Sequence, residues 1–372
     1  MRRIRSYLAC GFDVQGFTMR RDNMNPDFEP FWPNLHLYNV QNERPLDRIW
    51  VIAKSIVKVA RHRHLLKDTD VIVARSLDML SIGAVACWLA PGRPRLIYEC
   101  LDIHDMMVGN GLKNRIFRWA ERRLLDRSDA LIVSAPAFIE NYFEPMQNWQ
   151  GETTLIENKL WVDDPAGLPR PLPASVQQRA EISEEAPLIC GWVGTLRCAQ
   201  SLALLSAAAA ALGPRIRIVM HGVVHAHALP DFDEVVARHD NMHFEGPYEY
   251  PGGLEAIYRD CDVVWSQDLW QFGTNSTWLL PNRIYEASYF GCPSIAVDGT
   301  DTGARVMQGI GWTISRPDAD ELIDLLRRLE ASELTEKRRE ILSRPDAEFR
   351  QSHDEILAAL EPTDQWQRRA AS

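Results

Sequence analysis

The chain has 372 residues, of which 46% are hydrophobic and 25% charged, with a formal net charge of −10 at pH 7. This length predicts two domains of ordinary size, and the composition excludes intrinsic disorder. Residues 1–165 contain 22 basic and 21 acidic side chains and the remainder contains 19 and 30, and such an acidic second half excludes general nucleic-acid binding.

The seven cysteines are scattered and never form a Cys-x-x-Cys pair. This spacing indicates neither a zinc site nor a disulfide framework and suits the reducing cytoplasm. The apolar run that follows the N-terminal arginines is too short for a signal peptide, and no stretch reaches the roughly 18 apolar residues that span a bilayer. We therefore expect a cytoplasmic protein, soluble or bound to the inner face of the membrane.

Short apolar runs alternate with helical patterns through the first half of the chain. The predicted strands are residues 5–12, 71–74, 95–100 and 130–134. Apolar spacing near 3.6 residues predicts helices at residues 46–66, 80–89 and 114–127. This alternation predicts an α/β domain with a parallel sheet and helices on both faces.

A second series of the same kind follows. Its predicted strands are residues 188–194, 216–221, 241–245, 263–266 and 294–296, with helices at 201–212 and 282–290. Between the two series, residues 163–173 contain four prolines, which prevent both a helix and a central strand. We predict Rossmann-like domains at residues 1–165 and 166–345, and a C-terminal helical segment at 346–372 that can cross back to the first domain.

Two Rossmann-like domains could also serve a dehydrogenase. Gly11 and Gly16 lack the spacing of a dinucleotide fingerprint, and no Lys-Ser/Thr completes a P-loop. The HExxH and GxSxG signatures are absent as well. These glycines can equally form a simple turn.

The most informative segment is residues 273–296, where a polar loop runs into a proline and a helix that a Gly-x-Pro sequence ends. The N-terminus of a helix attracts anions such as a diphosphate, and Ser276, Thr277 and Asn282 add neutral donors. Glu286 lies on the same helix face as Asn282, where its carboxylate can accept both hydroxyls of a ribose. This one segment is thus expected to bind both the phosphates and the ribose of a nucleotide.

A second phosphate site is indicated where strand 188–194 ends. Gly194 lets a diphosphate approach the backbone closely, with Thr195 directly after it. Arg197 follows and can neutralise the phosphate charge.

Residues 273–296 resemble the donor-binding segment of family-4-like GT-B glycosyltransferases, in which an Asn/Lys-x-x-x-Glu helix precedes Gly-x-Pro and a strand. The resemblance implies two Rossmann-like domains facing a central cleft, a nucleotide-sugar donor with UDP favoured, and Glu286 on the nucleotide ribose. A solvated helical glutamate is the alternative for this position.

The chain departs from the resembling family at two places. The family usually carries an arginine and a lysine where this sequence has Thr195 and Gln200, so Arg197 or Arg283 must substitute, or backbone dipoles must hold the donor. Trp278 stands where the first glutamate of a Glu-x7-Glu pair is expected. Together with residues 98–105, these features make the sequence similar to transferases of succinoglycan-type exopolysaccharide assembly.

Catalytic candidates follow the predicted strands 5–12 and 95–100, because ligands of parallel sheets bind beyond the carboxyl ends of strands. The loop after the first strand contains Gly11, Asp13 and Gly16, and we expect it to face the cleft.

After the other strand come Asp102, His104 and Asp105. An inverting transfer needs a base for the acceptor hydroxyl. These three residues and Asp13 qualify, and we favour Asp102; the resemblance implies that His104 contacts the donor sugar. Asp102 could instead cap a helix that begins near residue 106, and a retaining transfer would need no base.

No Asp-x-Asp pair stands near the diphosphate loop, so we predict catalysis without a metal or other cofactor, the nucleotide-sugar being a substrate. Residues 51–64 and 114–123 combine apolar and basic faces that could rest on an anionic bilayer. That contact would suit a lipid-linked saccharide acceptor. A solvated basic face over a packed helix is the other interpretation.

Two further hypotheses remain open from the sequence. One is a nucleotide-sugar epimerase on the same two-domain fold, which would share Glu286 but need no acceptor site. The other is a non-catalytic partner of a second transferase, suggested by the missing arginine and lysine pair.

Overall fold

A computed structural model describes residues 2–20, 29–39 and 45–361. These residues fold into two compact units. Unit 1 comprises the described residues up to Ile156 together with the C-terminal helix His353–Leu360, and unit 2 comprises Glu157–Ser352. The boundary between the units thus falls before the proline-rich residues 163–173, which lie in unit 2.

Unit 1 contains two parallel sheets. One has two strands in the order β1-β2, and the other has four in the order β3-β4-β5-β6. The strands are β1 Gly16–Arg20, β2 Asn34–Asn39, β3 Val71–Arg75, β4 Arg95–Cys100, β5 Ala130–Val133 and β6 Glu152–Leu155. The helices before the C-terminal one are α1 Arg2–Ala9, α2 Pro45–Arg61, α3 Leu77–Leu89, α4 Asp105–Val108, α5 Leu112–Leu125, α6 Pro136–Phe138 and α7 Glu144–Gln147.

The strand predicted at residues 5–12 is wrong, because the chain forms helix α1 there. The helix buries Arg3, Ser6 and Tyr7, which share one face at helical spacing. Arg3 is tolerated inside because its Nε lies 2.8 Å from a carboxylate oxygen of Glu99, which is fully buried in β4. A partner 96 residues away in the chain cannot be recognised from the local sequence pattern.

Unit 2 contains one parallel sheet of six strands in the order β12-β11-β10-β7-β8-β9. Its strands are β7 Leu188–Leu196, β8 Ile216–Val224, β9 Met242–Gly246, β10 Val263–Trp265, β11 Ser294–Val297 and β12 Gly311–Ile314. Its helices are α8 Ala199–Leu212, α9 Phe232–Ala237, α10 Leu254–Asp260, α11 Asn275–Trp278, α12 Asn282–Tyr289, α13 Asp301–Val306, α14 Ala319–Arg328 and α15 Ala331–Leu342. Except for β12, each strand of this sheet matches one predicted from the sequence.

The core of unit 2 lies between the sheet and helices α8 and α14, which pack against each other. Trp192 of β7 and Trp265 of β10 are among the largest fully buried side chains of the described residues. Their two strands are neighbours in the sheet. The indole N–H of Trp265 donates to the hydroxyl of Ser201 in α8 over 3.0 Å, which satisfies the polar atom of a buried aromatic ring. These contacts hold β7 and β10, the two strands that position the candidate site.

Candidate donor site and catalytic loop

The order of strands in unit 2 places a topological switch point between β7 and β10. The chain runs outward from β7 to β8 and β9 and then returns to the other side of β7 to form β10. Ligands of open parallel sheets bind outside the carboxyl ends of the strands at such a point. The segments at these ends are residues 194–197 and 266–268.

Gly194 lies near the end of β7, in a conformation that favours glycine, with φ +108°. It pairs across the strands with Gly222 of β8, whose φ is +134°. A Cβ built at Gly194 would meet one side-chain atom within 4.0 Å, Nη2 of Arg283. β7 continues past Gly194, so Thr195 is an exposed strand residue and not part of a turn.

Arg197 forms an ion pair with Asp268, with Nη2 and Oδ2 separated by 3.1 Å. This contact joins the carboxyl ends of β7 and β10. Burial would raise the pKa of Asp268, but Arg197, the Trp270 amide and Arg283 hold that pKa below its ordinary value. Asp268 was not among the residues predicted from the sequence, although its position directly beyond a buried strand was a usable signal.

Ser276 and Thr277 stabilise the loop that follows β10. The hydroxyl of Ser276 donates to Asp268 over 2.9 Å and accepts the Gln271 amide over 2.9 Å. The hydroxyl of Thr277 accepts the Gly273 amide over 2.9 Å. The hydroxyl proton of Ser276 is therefore already used in a hydrogen bond to Asp268.

Helix α12 carries the cation nearest to Gly194. It begins at Asn282, whose side chain is exposed, and Arg283 follows in its first turn. Nη1 of Arg283 is buried and has no hydrogen-bond partner among the described residues. A buried guanidinium nitrogen without an acceptor is costly, and an anionic oxygen would satisfy it.

Glu286 lies one turn further along α12, with only 4% of its surface exposed. Interpretation as a solvated helical glutamate is therefore wrong. The hydroxyl of Tyr258 lies 3.4 Å from Oε2 of Glu286. Burial, and after it the Glu286 carboxylate, raise the pKa of Tyr258 well above its ordinary value, so this hydroxyl stays protonated and donates. The structure thus places Arg283 beside Gly194, with Glu286 one turn further along the same helix.

In unit 1, Asp102, His104 and Asp105 are exposed directly beyond β4. His104, and not Asp102, caps helix α4, because its Nδ1 accepts the amide proton of Met106 over 3.2 Å. With Nδ1 engaged as an acceptor, Nε2 is the ring nitrogen left to donate a hydrogen bond. Asp102 is left without the capping role considered for it.

Gly11, Asp13 and Gly16 do not follow a strand, which corrects the premise that led to them. Gly11 comes just after helix α1 with φ +86°, Asp13 is exposed, and Gly16 begins β1. A Cβ at Gly16 would overlap the indole nitrogen of Trp32. Gly11 and Gly16 thus have local backbone and packing reasons to be glycine.

Metal clusters and membrane spans are both missing from the part of the chain that the structure describes. No group of three or more His, Cys, Asp or Glu side chains there is arranged to hold a metal ion. No helix within residues 2–20, 29–39 and 45–361 is long and apolar enough to cross a membrane.

Comparisons with known proteins agree with this architecture. The family model of the glycosyl transferase 4-like domain matches residues 1–159. The succinoglycan biosynthesis protein ExoL of Rhizobium meliloti is 35% identical over 298 residues, covering 78% of this chain and 72% of ExoL.

Among solved structures, WaaG, a glycosyltransferase involved in lipopolysaccharide biosynthesis, aligns with a TM-score of 0.61 at 13% identity, covering 97% of this chain and 95% of WaaG. Anabaena HepE, solved with UDP and glucose, aligns with a TM-score of 0.53 at 17% identity, covering 91% and 85%. The fold is therefore GT-B, built here from two Rossmann-like units. Because the similarity to ExoL covers most of both chains, this chain belongs to the glycosyl transferase 4-like family and is a glycosyltransferase.

Proposed function

We propose that this glycosyltransferase binds a UDP-sugar in unit 2 and transfers the sugar to a saccharide acceptor during exopolysaccharide biosynthesis. The biosynthetic role is supported by the similarity to ExoL, which is named for succinoglycan biosynthesis. The choice of uridine is supported by HepE, whose structure contains UDP and glucose.

The observation that carries the donor site is the buried, unpartnered Nη1 of Arg283 beside the open backbone of Gly194. A diphosphate there would accept from the guanidinium and from the first amides of α12. Arg283 thereby substitutes for the missing arginine and lysine pair. Arg197 shares its charge with Asp268 and is the weaker phosphate ligand.

Glu286 binds the ribose in this proposal. Its carboxylate is buried and lies three residues beyond Arg283, so both side chains point to the same side of α12. A buried carboxylate that accepts two hydroxyls makes charge-assisted hydrogen bonds, which are stronger than neutral ones. Phosphate and ribose are then held by adjacent turns of one helix.

Catalysis in this proposal needs no metal or other cofactor, because Arg283 and the N-terminus of α12 offset the negative charge of the departing diphosphate. In unit 1, Asp102 removes the proton of the acceptor hydroxyl, and His104 offers a hydrogen-bond donor at the same strand end. The acceptor is lipid-linked, and the enzyme works at the cytoplasmic face of the membrane. Chelation with EDTA should leave the transfer rate unchanged.

Replacing Arg283 with alanine is expected to weaken UDP binding by about 10- to 100-fold, since a charge-assisted hydrogen bond contributes about 1.5–3 kcal/mol. Glu286→Gln should weaken UDP binding similarly, while binding of free pyrophosphate should change only in the arginine variant. Isothermal calorimetry of the full chain measures all of these affinities.

Arg259→Ala is the matched control, because this arginine is 66% exposed and lies on a different helix, α10. Its UDP affinity should equal that of the wild type. Affinities within twofold of the wild type for both Arg283→Ala and Glu286→Gln would refute this donor site. Release of a C2 epimer from a UDP-sugar without acceptor would favour the epimerase hypothesis instead.

A further inference from the structure

A cavity of about 480 Å³ lies within unit 2, away from the donor site. Its walls are formed by residues 171–179, by helices α10 and α15, and by Phe290 directly after α12. Asp262, which precedes β10, also lines it, so the cavity lies at the amino ends of the strands, whereas the donor site lies at their carboxyl ends. Small-molecule sites occupy about 300–1,000 Å³, so this cavity has room for one small ligand.

Apolar side chains form part of the lining. Phe290, Leu334 and Leu342 line the cavity and are only 2–5% exposed. Arg179 also lines it, but its guanidinium donates two hydrogen bonds of 2.9 Å to Asp262, so these two charges offset each other. Charge that is available to a ligand must therefore come from other side chains.

Arg338 of α15 supplies a positive charge. Its guanidinium donates to the backbone carbonyls of Tyr258 and Cys261, at the C-terminal end of α10. Among the described residues it has no carboxylate partner. Carbonyl oxygens carry only partial charges, so a phosphate would be a stronger acceptor for this guanidinium. Arg259 at the rim is 66% exposed and adds positive potential.

Glu255 of α10 is a hydrogen-bond acceptor in the same cavity, where it is half-buried. Neither a hydrogen bond nor an ion pair joins it to another residue in the part of the chain that the structure describes. A carboxylate accepts hydrogen bonds from hydroxyl groups but repels a second anion. A ligand with one phosphate and several hydroxyls would satisfy both Arg338 and Glu255, whereas a ligand with two anionic ends would not.

Helix α10 connects this cavity to the donor site through Tyr258. The ring of Tyr258 stacks on that of Phe290, with ring centres 6.3 Å apart and 15° between the planes. Its hydroxyl lies 3.4 Å from Oε2 of Glu286, and its carbonyl accepts from Arg338 over 3.5 Å. One residue thus contacts a wall of the cavity, the arginine of the cavity and the proposed ribose ligand.

We propose that this cavity is a regulatory site that binds a sugar phosphate, and that its occupation lowers the affinity for UDP. The phosphate pairs with Arg338, and sugar hydroxyls donate to Glu255. A phosphate oxygen competes with the Tyr258 carbonyl for the guanidinium, so Tyr258 can move and its hydrogen bond to Glu286 weakens. The effect on UDP rests on the proposed donor site, whereas binding in the cavity does not.

Calorimetry of the full chain with glucose 1-phosphate tests this inference. UDP at saturating concentration keeps the donor site filled, so further binding reports a second site. Glucose alone and inorganic phosphate alone should each bind at least about tenfold more weakly, because each makes only part of the contacts. Saturating glucose 1-phosphate should lower UDP affinity about fivefold, and the loss should level off there, since only a competitor for the donor site would lower it without limit.

Two variants alter the cavity without touching the donor site. Arg338→Gln should weaken binding of glucose 1-phosphate at least about tenfold, because glutamine can still donate to a carbonyl but cannot pair with the charge of a phosphate. Val176→Trp should weaken it as much by filling the cavity while every charge stays in place. Thermal unfolding verifies that each variant is folded.

Arg327→Ala is the matched control, because this arginine is 52% exposed on α14, which contributes no described residue to the lining. Its affinity for glucose 1-phosphate should equal that of the wild type. Absence of binding to the UDP-saturated wild type at millimolar glucose 1-phosphate would overturn the inference. So would binding that both cavity variants retain, binding that leaves UDP affinity unchanged, or inorganic phosphate binding as tightly as the sugar phosphate.

Arg283→Ala separates this inference from the proposed function. It should lose UDP affinity and keep its affinity for glucose 1-phosphate, because Arg283 does not line the cavity. A wild type that binds glucose 1-phosphate through Arg338 but binds no UDP would refute the donor site and support the cavity. Loss of glucose 1-phosphate binding in Arg283→Ala would overturn the second site, since one site would then bind both ligands.

Discussion

Replacing Asp102 with asparagine is expected to lower the turnover rate of sugar transfer by roughly 100- to 10,000-fold, the contribution of a general base. Asparagine keeps the size of the side chain but cannot accept the acceptor's proton at neutral pH. Asp102 is exposed beyond β4, and His104 has taken the capping role, so the substitution should not unfold α4. Release of UDP from the donor in the presence of acceptor measures the rate.

Asp105→Asn is the control, because Asp105 is also exposed and lies three residues further on. Its turnover should stay within threefold of the wild type, and UDP affinity should be unchanged in both variants. A turnover of Asp102→Asn within tenfold of the wild type would contradict its role as base. Retention of the anomeric configuration in the product would then assign proton removal to the leaving phosphate oxygen.

Replacing Gly222 with alanine is expected to destabilise unit 2 by about 3 kcal/mol or more. The positive φ of +134° costs an L-residue about 1–2 kcal/mol, and the new Cβ would overlap the carbonyl of Gly194, adding about 1–3 kcal/mol. Because Gly194 must move to relieve the overlap, UDP affinity should fall as well. Urea unfolding and calorimetry of the folded variant measure these effects.

Gly246→Ala separates strain from overlap. Gly246 also has a positive φ, +80°, but no heavy atom lies within 4 Å of the position that a Cβ would take. Its stability should fall by only about 1–2 kcal/mol, with UDP affinity unchanged. Equal losses of stability at the two positions would show that the contact between Gly222 and Gly194 has no energetic importance.

The pattern of apolar runs predicted five of the six strands described in unit 2, but only β3, β4 and β5 of the six described in unit 1. β4 Arg95–Cys100 is buried at every position and was predicted with its bounds, because strands buried on both faces carry adjacent apolar residues, here Leu96, Ile97 and Tyr98. β1 Gly16–Arg20 and β6 Glu152–Leu155 have no fully buried residue, and they were missed because a half-buried strand lacks such a run.

The candidate donor residues were also named from sequence, because a helix start after a polar loop and a glycine at a strand end are local features. Which of these residues lie close together in space could not be predicted from local sequence. Arg283 beside Gly194, the ion pair of Arg197 with Asp268 and the burial of Glu286 beside Tyr258 depend on which strands are neighbours in the sheet.

The sequence by itself thus determined the fold class, the two parallel-sheet domains and the helix that carries Glu286. The tertiary structure decided that α1 is a helix held by Arg3 and Glu99, that His104 caps α4, and that Leu112, Ile116 and Trp119 point to solvent. The physical reason is the same in each case. Apolar spacing reports which residues need burial or pairing, but the partners that provide it lie far away in the chain and are chosen by packing.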